Sequence, residues 1–181
     1  MRNSTKAPAL TRITTRYVAH EDRVQLAGEL AGAGEVTVWL TLRLLNQLLP
    51  RLLSGLEQQR ADFSRGETLR DEKLRGEILH GFAQRKAMAE MPATAPVKVS
   101  DNAASWVAEA VLISRLANGV TLTFRARDGR EVLLSLMGEM LRQWLAIVYY
   151  AYGAAKWPGD FWPTWLVEST QPTAPAGLTV H

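Results

Sequence analysis

Cysteine is absent from this sequence of 181 residues, and histidine occurs only three times. Without thiolates, the protein cannot use thiol catalysis, cysteine-ligated zinc, an iron–sulfur cluster or a disulfide framework. The histidines, His20, His80 and His181, fall in three different predicted elements and form no metal-binding motif. We therefore expect no metal site and no cofactor.

A marked excess of one charge is also absent, as is a long hydrophobic run. The 21 basic and 18 acidic side chains give a formal net charge of +3, too small by itself to indicate a nucleic-acid-binding protein. The charge-free stretch at residues 143–155 is shorter than the roughly 20 residues that a transmembrane helix needs. No hydrophobic segment typical of a secretory signal follows the first charges. We therefore expect no transmembrane segment and a cytoplasmic location.

The overall composition is typical of a globular domain, with 47% hydrophobic and 22% charged residues. A chain of this length suits one domain that buries about 68–70% of its unfolded surface. We predict a single α+β domain at residues 11–168, between a basic, flexible leader at 1–10 and a flexible tail at 169–181. The acid-poor composition of the first 20 residues is also typical of an organelle transit peptide, so a targeting role stays open.

The first half of the domain is predicted to contain three strands and a helix. Alternating and β-branched residues indicate strands at 11–20, 24–30 and 35–41. The apolar period then changes from two to 3.6, which predicts an amphipathic helix. Its apolar face contains Leu42, Leu45, Leu49, Leu52 and Leu56. Pro50 lies inside this pattern, so we predict a kinked helix, with a new helix beginning at Pro50 as the alternative.

The second half repeats this order of elements. Strands are predicted at 105–116, 120–127 and 131–136, followed by a helix at 138–155. The dipeptides Asn118-Gly119 and Asp128-Gly129 predict hairpin turns of type I′.

A constant spacing of 96 residues aligns the two halves, for example Glu35 with Glu131 and Leu45 with Leu141. We therefore predict an α+β fold of two pseudo-repeated βββα units, at 11–63 and 105–156, each an antiparallel meander followed by an amphipathic helix. The units could form one six-stranded antiparallel sheet or two small sheets with the helices outside. Because lone three-stranded sheets have exposed edges, a homo-oligomer is also plausible.

A charge-dense helix is predicted between the two units, at residues 67–91. Asp71 and Arg75, and likewise Lys73 and Glu77, are spaced for helix-stabilising ion pairs. The apolar stripe is narrow and consists of Leu69, Leu74, Ile78, Phe82 and Met88. A helix of this composition is expected to lie on the surface or against a partner.

Sequence motifs for catalysis are absent. The chain contains no phosphate-binding loop, dinucleotide-binding fingerprint, zinc-protease motif or nucleophile elbow. His20 stands beside Glu21 and Asp22, whose carboxylates could orient the imidazole as a general base. Because the sequence contains no nucleophile motif to go with it, a solvated turn histidine is the favoured interpretation. We expect no catalytic residue and no enzymatic activity.

Aromatic residues are concentrated near the end of the predicted domain. Three of the six tryptophans lie within ten residues, shortly after Tyr149, Tyr150 and Tyr152. Rigid indole rings are common anchors of protein interfaces, which predicts a protein-binding site. Its candidate residues are Trp157, Phe161, Trp162 and Trp165. The alternative is a segment that packs on the sheet and caps the core.

These features predict a non-enzymatic protein-interaction or assembly protein, an adaptor or scaffold, that acts within a larger complex. The alternative is a nucleic-acid-binding accessory protein that uses the basic leader and the arginines of the second hairpin. The residues for that alternative are Arg12, Arg16, Arg125, Arg127 and Arg130. Binding to phosphates would weaken steeply with salt, because bound counterions are released.

Overall fold

The computed structural model describes residues 7–32, 34–61 and 69–171, which form a mixed α+β fold with two sheets. Its strands are β1 (Leu10–Val18), β2 (Arg23–Leu30), β3 (Glu35–Leu40), β4 (Ala104–Val107), β5 (Ala110–Leu116), β6 (Gly119–Arg125) and β7 (Glu131–Met137). Its helices are α1 (Leu42–Ala61), α2 (Leu69–Ala89), α3 (Glu139–Ala155) and α4 (Thr164–Thr170).

The two sheets have different strand numbers. Strands β1, β2 and β3 form an antiparallel meander, and β4 pairs with β3 in parallel to give four strands. Strands β5, β6 and β7 form a three-stranded antiparallel meander. The alternative of a single six-stranded antiparallel sheet is therefore wrong. The parallel pairing of β3 with β4 was not predicted.

The predicted strand at residues 105–116 is in fact divided between the two sheets. The Ala108 amide donates to the Trp39 carbonyl of the first sheet, and the Glu109 amide donates to the Arg125 carbonyl of the second, each at 2.9 Å. A strand that changes sheets in this way forms a corner between them. Backbone bonding also joins the sheets elsewhere, because the Leu133 amide donates to the Pro8 carbonyl at 2.9 Å.

One hydrophobic core is shared by both sheets, α1 and α3. The inward side chains of Val38 and Leu122 are fully buried, as are Leu45 of α1 and Leu145 of α3. Since each sheet has an apolar face that must be covered, helix-on-sheet packing follows directly from the alternating strands and the leucine-rich helices.

Helix α1 continues through Pro50, which contradicts the alternative of a new helix beginning there. Proline inside a helix costs about 3 kcal/mol, because it removes a hydrogen bond and clashes with the preceding turn. Four leucines flank it, and burial of each contributes about 1.5–3 kcal/mol. They are Leu48, Leu49, Leu52 and Leu53, all at most 4% exposed. Burial of the leucine stripe therefore outweighs the cost of the proline.

The type I′ prediction for the hairpin turns is wrong. Such a turn needs positive φ at both central residues, yet Asn118 and Asp128 do not have it. In the second hairpin the Gly129 amide donates to the Ala126 carbonyl at 3.1 Å, and Gly129 itself has φ 88°. Glycine there supplies the left-handed residue that follows the turn.

The internal duplication stays a prediction. At a spacing of 96 residues, β2, β3 and α1 fall on β6, β7 and α3. The first strand does not follow this pattern, because β1 lies in one sheet whereas its counterpart is divided between β4 and β5.

Residues 1–6 of the predicted leader and 172–181 of the predicted tail, which includes His181, lie outside the described residues. Within the described part, no helix has the length and apolar character needed to cross a membrane.

Replacing Leu49 by alanine should test the importance of the α1 stripe. Leu49 is fully buried, so the lost apolar contacts and the resulting cavity are expected to lower the free energy of unfolding by about 2–5 kcal/mol. Leu112→Ala is the matched control, since Leu112 is 48% exposed on β5 and should change stability by at most about 0.5 kcal/mol. Urea denaturation measures both, and equal effects would contradict this description of the core.

Candidate functional site

The end of α3 turns the chain back toward its own helix. Lys156 caps α3 in the left-handed conformation with φ 55°, and its amide donates to the Gly153 carbonyl at 3.2 Å. The Trp157 amide then donates to the Tyr152 carbonyl at 3.1 Å. These bonds satisfy carbonyls at the helix end. They also direct residues 157–162 back along α3 instead of away from the domain.

Tyr152 lies at the centre of the aromatic cluster formed by this return. Its ring makes edge-to-face contacts with Trp157, Phe161 and Trp162, with ring centres 5.3, 5.8 and 5.4 Å away. Edge-to-face packing is favourable because the positive edge of one ring meets the negative face of another. The Tyr152 hydroxyl donates to Asn46 Oδ1 of α1 at 2.8 Å, and burial raises the pKa of Tyr152. The phenol therefore stays protonated and keeps this bond at neutral pH.

Gly159 allows the Trp162 ring to lie directly on the backbone. A Cβ atom at residue 159 would stand 2.5 Å from Cδ1 and 2.6 Å from Nε1 of Trp162. No larger residue fits without moving the indole. The Trp162 Nε1 atom is buried and has no hydrogen-bond partner among the described residues.

Trp157 connects the returning segment to the turn between β1 and β2. Its Nε1 donates to Asp22 Oδ1 at 3.2 Å, and the Tyr17 hydroxyl donates to the same oxygen at 2.9 Å. The bond to this carboxylate raises the pKa of Tyr17. The rings of Tyr17 and Trp157 also meet edge to face at 5.5 Å.

An aromatic groove of about 480 Å³ lies between α3 and the returning segment. We use the name aromatic groove for this space and its five rings, which are Tyr149, Tyr150, Tyr152, Trp157 and Trp162. Tyr150 stands at the solvent side with 49% of its surface exposed, and its hydroxyl donates to the Thr170 carbonyl at 2.7 Å. Gly153 and Gly159 also line the groove and leave room between the rings.

The four predicted protein-binding residues have different environments. Trp157 and Trp162 are half-buried and line the aromatic groove, and Phe161 packs on Tyr152 and Trp162. Trp165 is only 4% exposed and belongs to the core. Their role in binding stays a prediction, while the packing of Trp165 matches the alternative in which the segment caps the core.

Trp165 lies in α4, a helix that the sequence analysis did not predict. Its ring stacks on the buried His80 of α2 with centres 5.1 Å apart, and the Arg142 guanidinium lies 5.4 Å from its centre. An Arg142 nitrogen also lies 3.0 Å from His80 Nδ1. The apolar pair Trp165 and Leu166 after Pro163 was the available signal for this short buried helix.

Carboxylates neutralise three of the five arginines proposed for nucleic-acid binding. Arg12 pairs with Glu29, Arg125 with Glu131, and Arg130 with Asp128 at 2.6 Å. The hydrogen bonds within these pairs raise the pKa of Arg12 and Arg130. Of the other two, Arg16 donates to Gln25 Oε1 at 2.7 Å, and Arg127 is exposed. The arrangement is that of solvated ion pairs on strands and a hairpin.

In the described part of the chain, no cluster of three or more histidine, cysteine, aspartate or glutamate residues could hold a metal ion. The His20 side chain is 80% exposed and lies 3.7 Å from Glu21, as expected for a solvated turn histidine.

Comparison with protein-family models, curated protein sequences and solved structures found no match to this chain. The function is therefore inferred from the geometry and chemistry of the chain itself.

Replacing Trp165 by alanine should distinguish a core residue from a surface anchor. Because the indole is buried between α2 and α3, its loss is expected to lower the free energy of unfolding by about 3–5 kcal/mol. Tyr150→Ala is the control from the groove rim and should cost about 1 kcal/mol, mainly through its bond to Thr170. Urea denaturation followed by circular dichroism gives both values. An unchanged free energy of unfolding for Trp165→Ala would contradict its place in the core and support a role as a surface anchor.

Proposed function

We propose that the protein is a non-enzymatic interaction or assembly protein that acts within a larger complex. In this proposal the aromatic groove holds an extended, proline-containing segment of a protein partner. The observation that carries the proposal is the convergence of five tyrosine and tryptophan rings around a space of about 480 Å³.

The physical chemistry of the aromatic groove supports this kind of partner. Its volume falls within the roughly 300–1,000 Å³ typical of ligand-binding clefts. Aromatic grooves suit proline-rich segments, because a polyproline helix is already extended and loses little entropy on binding. Phenol and indole rings add rigid contact area at low entropic cost. The contacts of Tyr152 and Trp157 to α1 and to the β1–β2 turn keep the rings in place before a ligand arrives.

The rest of the domain serves as a scaffold in this proposal. The internal duplication remains part of it, supported by the coincidence of three elements at a spacing of 96 residues. A cytoplasmic location is also retained as a proposal. The nucleic-acid alternative receives less support, since carboxylates of the same chain already neutralise Arg12, Arg125 and Arg130.

A polyproline peptide tests the groove directly. We expect it to shift the indole N–H signals of Trp157 and Trp162 in NMR spectra of the full-length protein. Trp144 is an internal control, because it is 2% exposed and its Nε1 donates to Thr15 at 3.1 Å. A glycine–serine peptide of the same length should shift none of them. Equal shifts of all indoles, or no shift, would contradict the proposal.

Two substitutions of Tyr150 separate ring contact from hydrogen bonding. Tyr150→Ala is expected to weaken polyproline binding about tenfold, because tyrosine is enriched among the few interface residues that carry most of the binding energy. Tyr150→Phe keeps the ring and loses only the bond to Thr170, so binding should be nearly unchanged. The same NMR titration measures both, and equal losses would show that the ring face does not contact the peptide.

The nucleic-acid alternative has its own measurement. Because carboxylates of the same chain neutralise three of its five arginines, we expect binding to single- and double-stranded oligonucleotides to be absent at low ionic strength in fluorescence anisotropy. Binding that falls steeply as salt rises would instead restore that alternative.

A further inference from the structure

Helix α2 exposes a row of large apolar side chains to solvent. Leu74, Ile78 and Phe82 follow one another at intervals of four residues and are 59%, 51% and 61% exposed. The side facing the domain instead carries two polar residues, His80 and Gln84, which are 4% and 0% exposed. A row of large exposed apolar side chains on one helix is typical of an interaction surface.

Polar contacts hold α2 in this orientation. Gln84 Nε2 donates to the Arg142 carbonyl at 2.9 Å, and Gln143 Nε2 donates to the Ala87 carbonyl at 2.8 Å. Lys86 Nζ lies 2.7 Å from Glu139 of α3. Rotating the apolar row inward would break these bonds to α3. The outward row is therefore a fixed feature of the fold.

We propose that this row is the interface of a homodimer, in which α2 packs antiparallel against α2 of a second copy about a twofold axis at Ile78. An interface on a twofold axis must be complementary to itself. In antiparallel helices, residues equally distant from the axis face each other. Ile78 then meets Ile78 of the partner subunit, and Leu74 meets Phe82 of the partner subunit.

The spacing of the outward residues fits such an axis. These residues are Asp71, Leu74, Ile78, Phe82 and Arg85. Their intervals of three, four, four and three residues read the same in both directions from Ile78. Intervals of three and four residues place all five side chains on one face of the helix.

Charge at the two ends of the row selects the antiparallel direction. Asp71 and Arg85 are exposed and stand at equal distances from Ile78. An antiparallel pair therefore places Asp71 against Arg85 of the partner subunit, twice. A parallel pair in register would place each charge against its own kind, which is unfavourable. The Arg85 guanidinium already lies over the Phe82 ring, 4.8 Å from its centre, and so belongs to the same face.

Arg70 and Lys86 also stand at equal distances from Ile78 and carry like charges. They do not oppose this arrangement, because they lie to the sides of the row and Lys86 is bonded to Glu139. The bond to Glu139 also raises the pKa of Lys86. The proposed dimer shares no residue with the aromatic groove and goes beyond the proposed function.

The absence of cysteine makes a cross-linking test direct, since one introduced thiol is the only one. Ile78→Cys in the full-length protein should form a covalent dimer with a short bis-maleimide at least about tenfold faster than Leu112→Cys, because the axis holds the two thiols at high effective concentration. Leu112 is the matched control, being 48% exposed on β5. Equal rates for the two variants would overturn the proposal.

Charge reversal tests the register and direction. Asp71→Arg and Arg85→Asp should each raise the dimer dissociation constant in analytical ultracentrifugation by about tenfold, and the double variant should restore it to within about threefold. A monomeric native protein at micromolar concentration, or a double variant as weak as either single one, would overturn the antiparallel dimer.

Discussion

Burial of the leucine stripe of α1 is the interaction on which the rest of the structure depends. Its buried leucines belong to the same cluster as the inward residues of both sheets, so they give two small sheets a common core. Neither sheet can cover its apolar face alone. The same stripe keeps Pro50 inside a continuous helix and places Asn46 where Tyr152 can donate to it. The aromatic groove is therefore built on the interior that the helix creates.

Local periodicity accounts for most of the elements, and nonlocal pairing accounts for the differences. The structure contains the predicted helices near residues 42, 67 and 138 and the strands of both meanders. They were predictable because the spacing of apolar residues indicates both the type of element and the face that is buried. The same spacing contains no information on which strands become neighbours. The division of the strand at Ala108 and Glu109 depends on carbonyls of Trp39 and Arg125. Those partners are distant in sequence, so no local pattern could reveal them.

The candidate site was predictable as a region but not as a surface. The concentration of tyrosine and tryptophan near residues 149–165 indicated this region, yet composition could not separate the buried Trp165 from the groove-lining Trp157. That separation follows from the left-handed turn at Lys156 and from the short helix α4. For α2, the narrow apolar stripe did predict a helix on the surface or against a partner. The direction of that stripe became clear only with the polar contacts of Gln84 and Gln143.

The bond between the Leu133 amide and the Pro8 carbonyl has a consequence for the order in which the protein is made. On the ribosome Pro8 emerges well before Leu133, which follows more than 100 residues later. The first sheet must also wait for β4 before its fourth strand can pair with β3. Pairing between segments so distant is slow, since the loop-closure entropy is lost before the contacts are gained. The Pro8 carbonyl and the outer edge of β3 therefore stay unpaired until β7 and β4 have been made, and this interval is when the nascent chain is most exposed to aggregation.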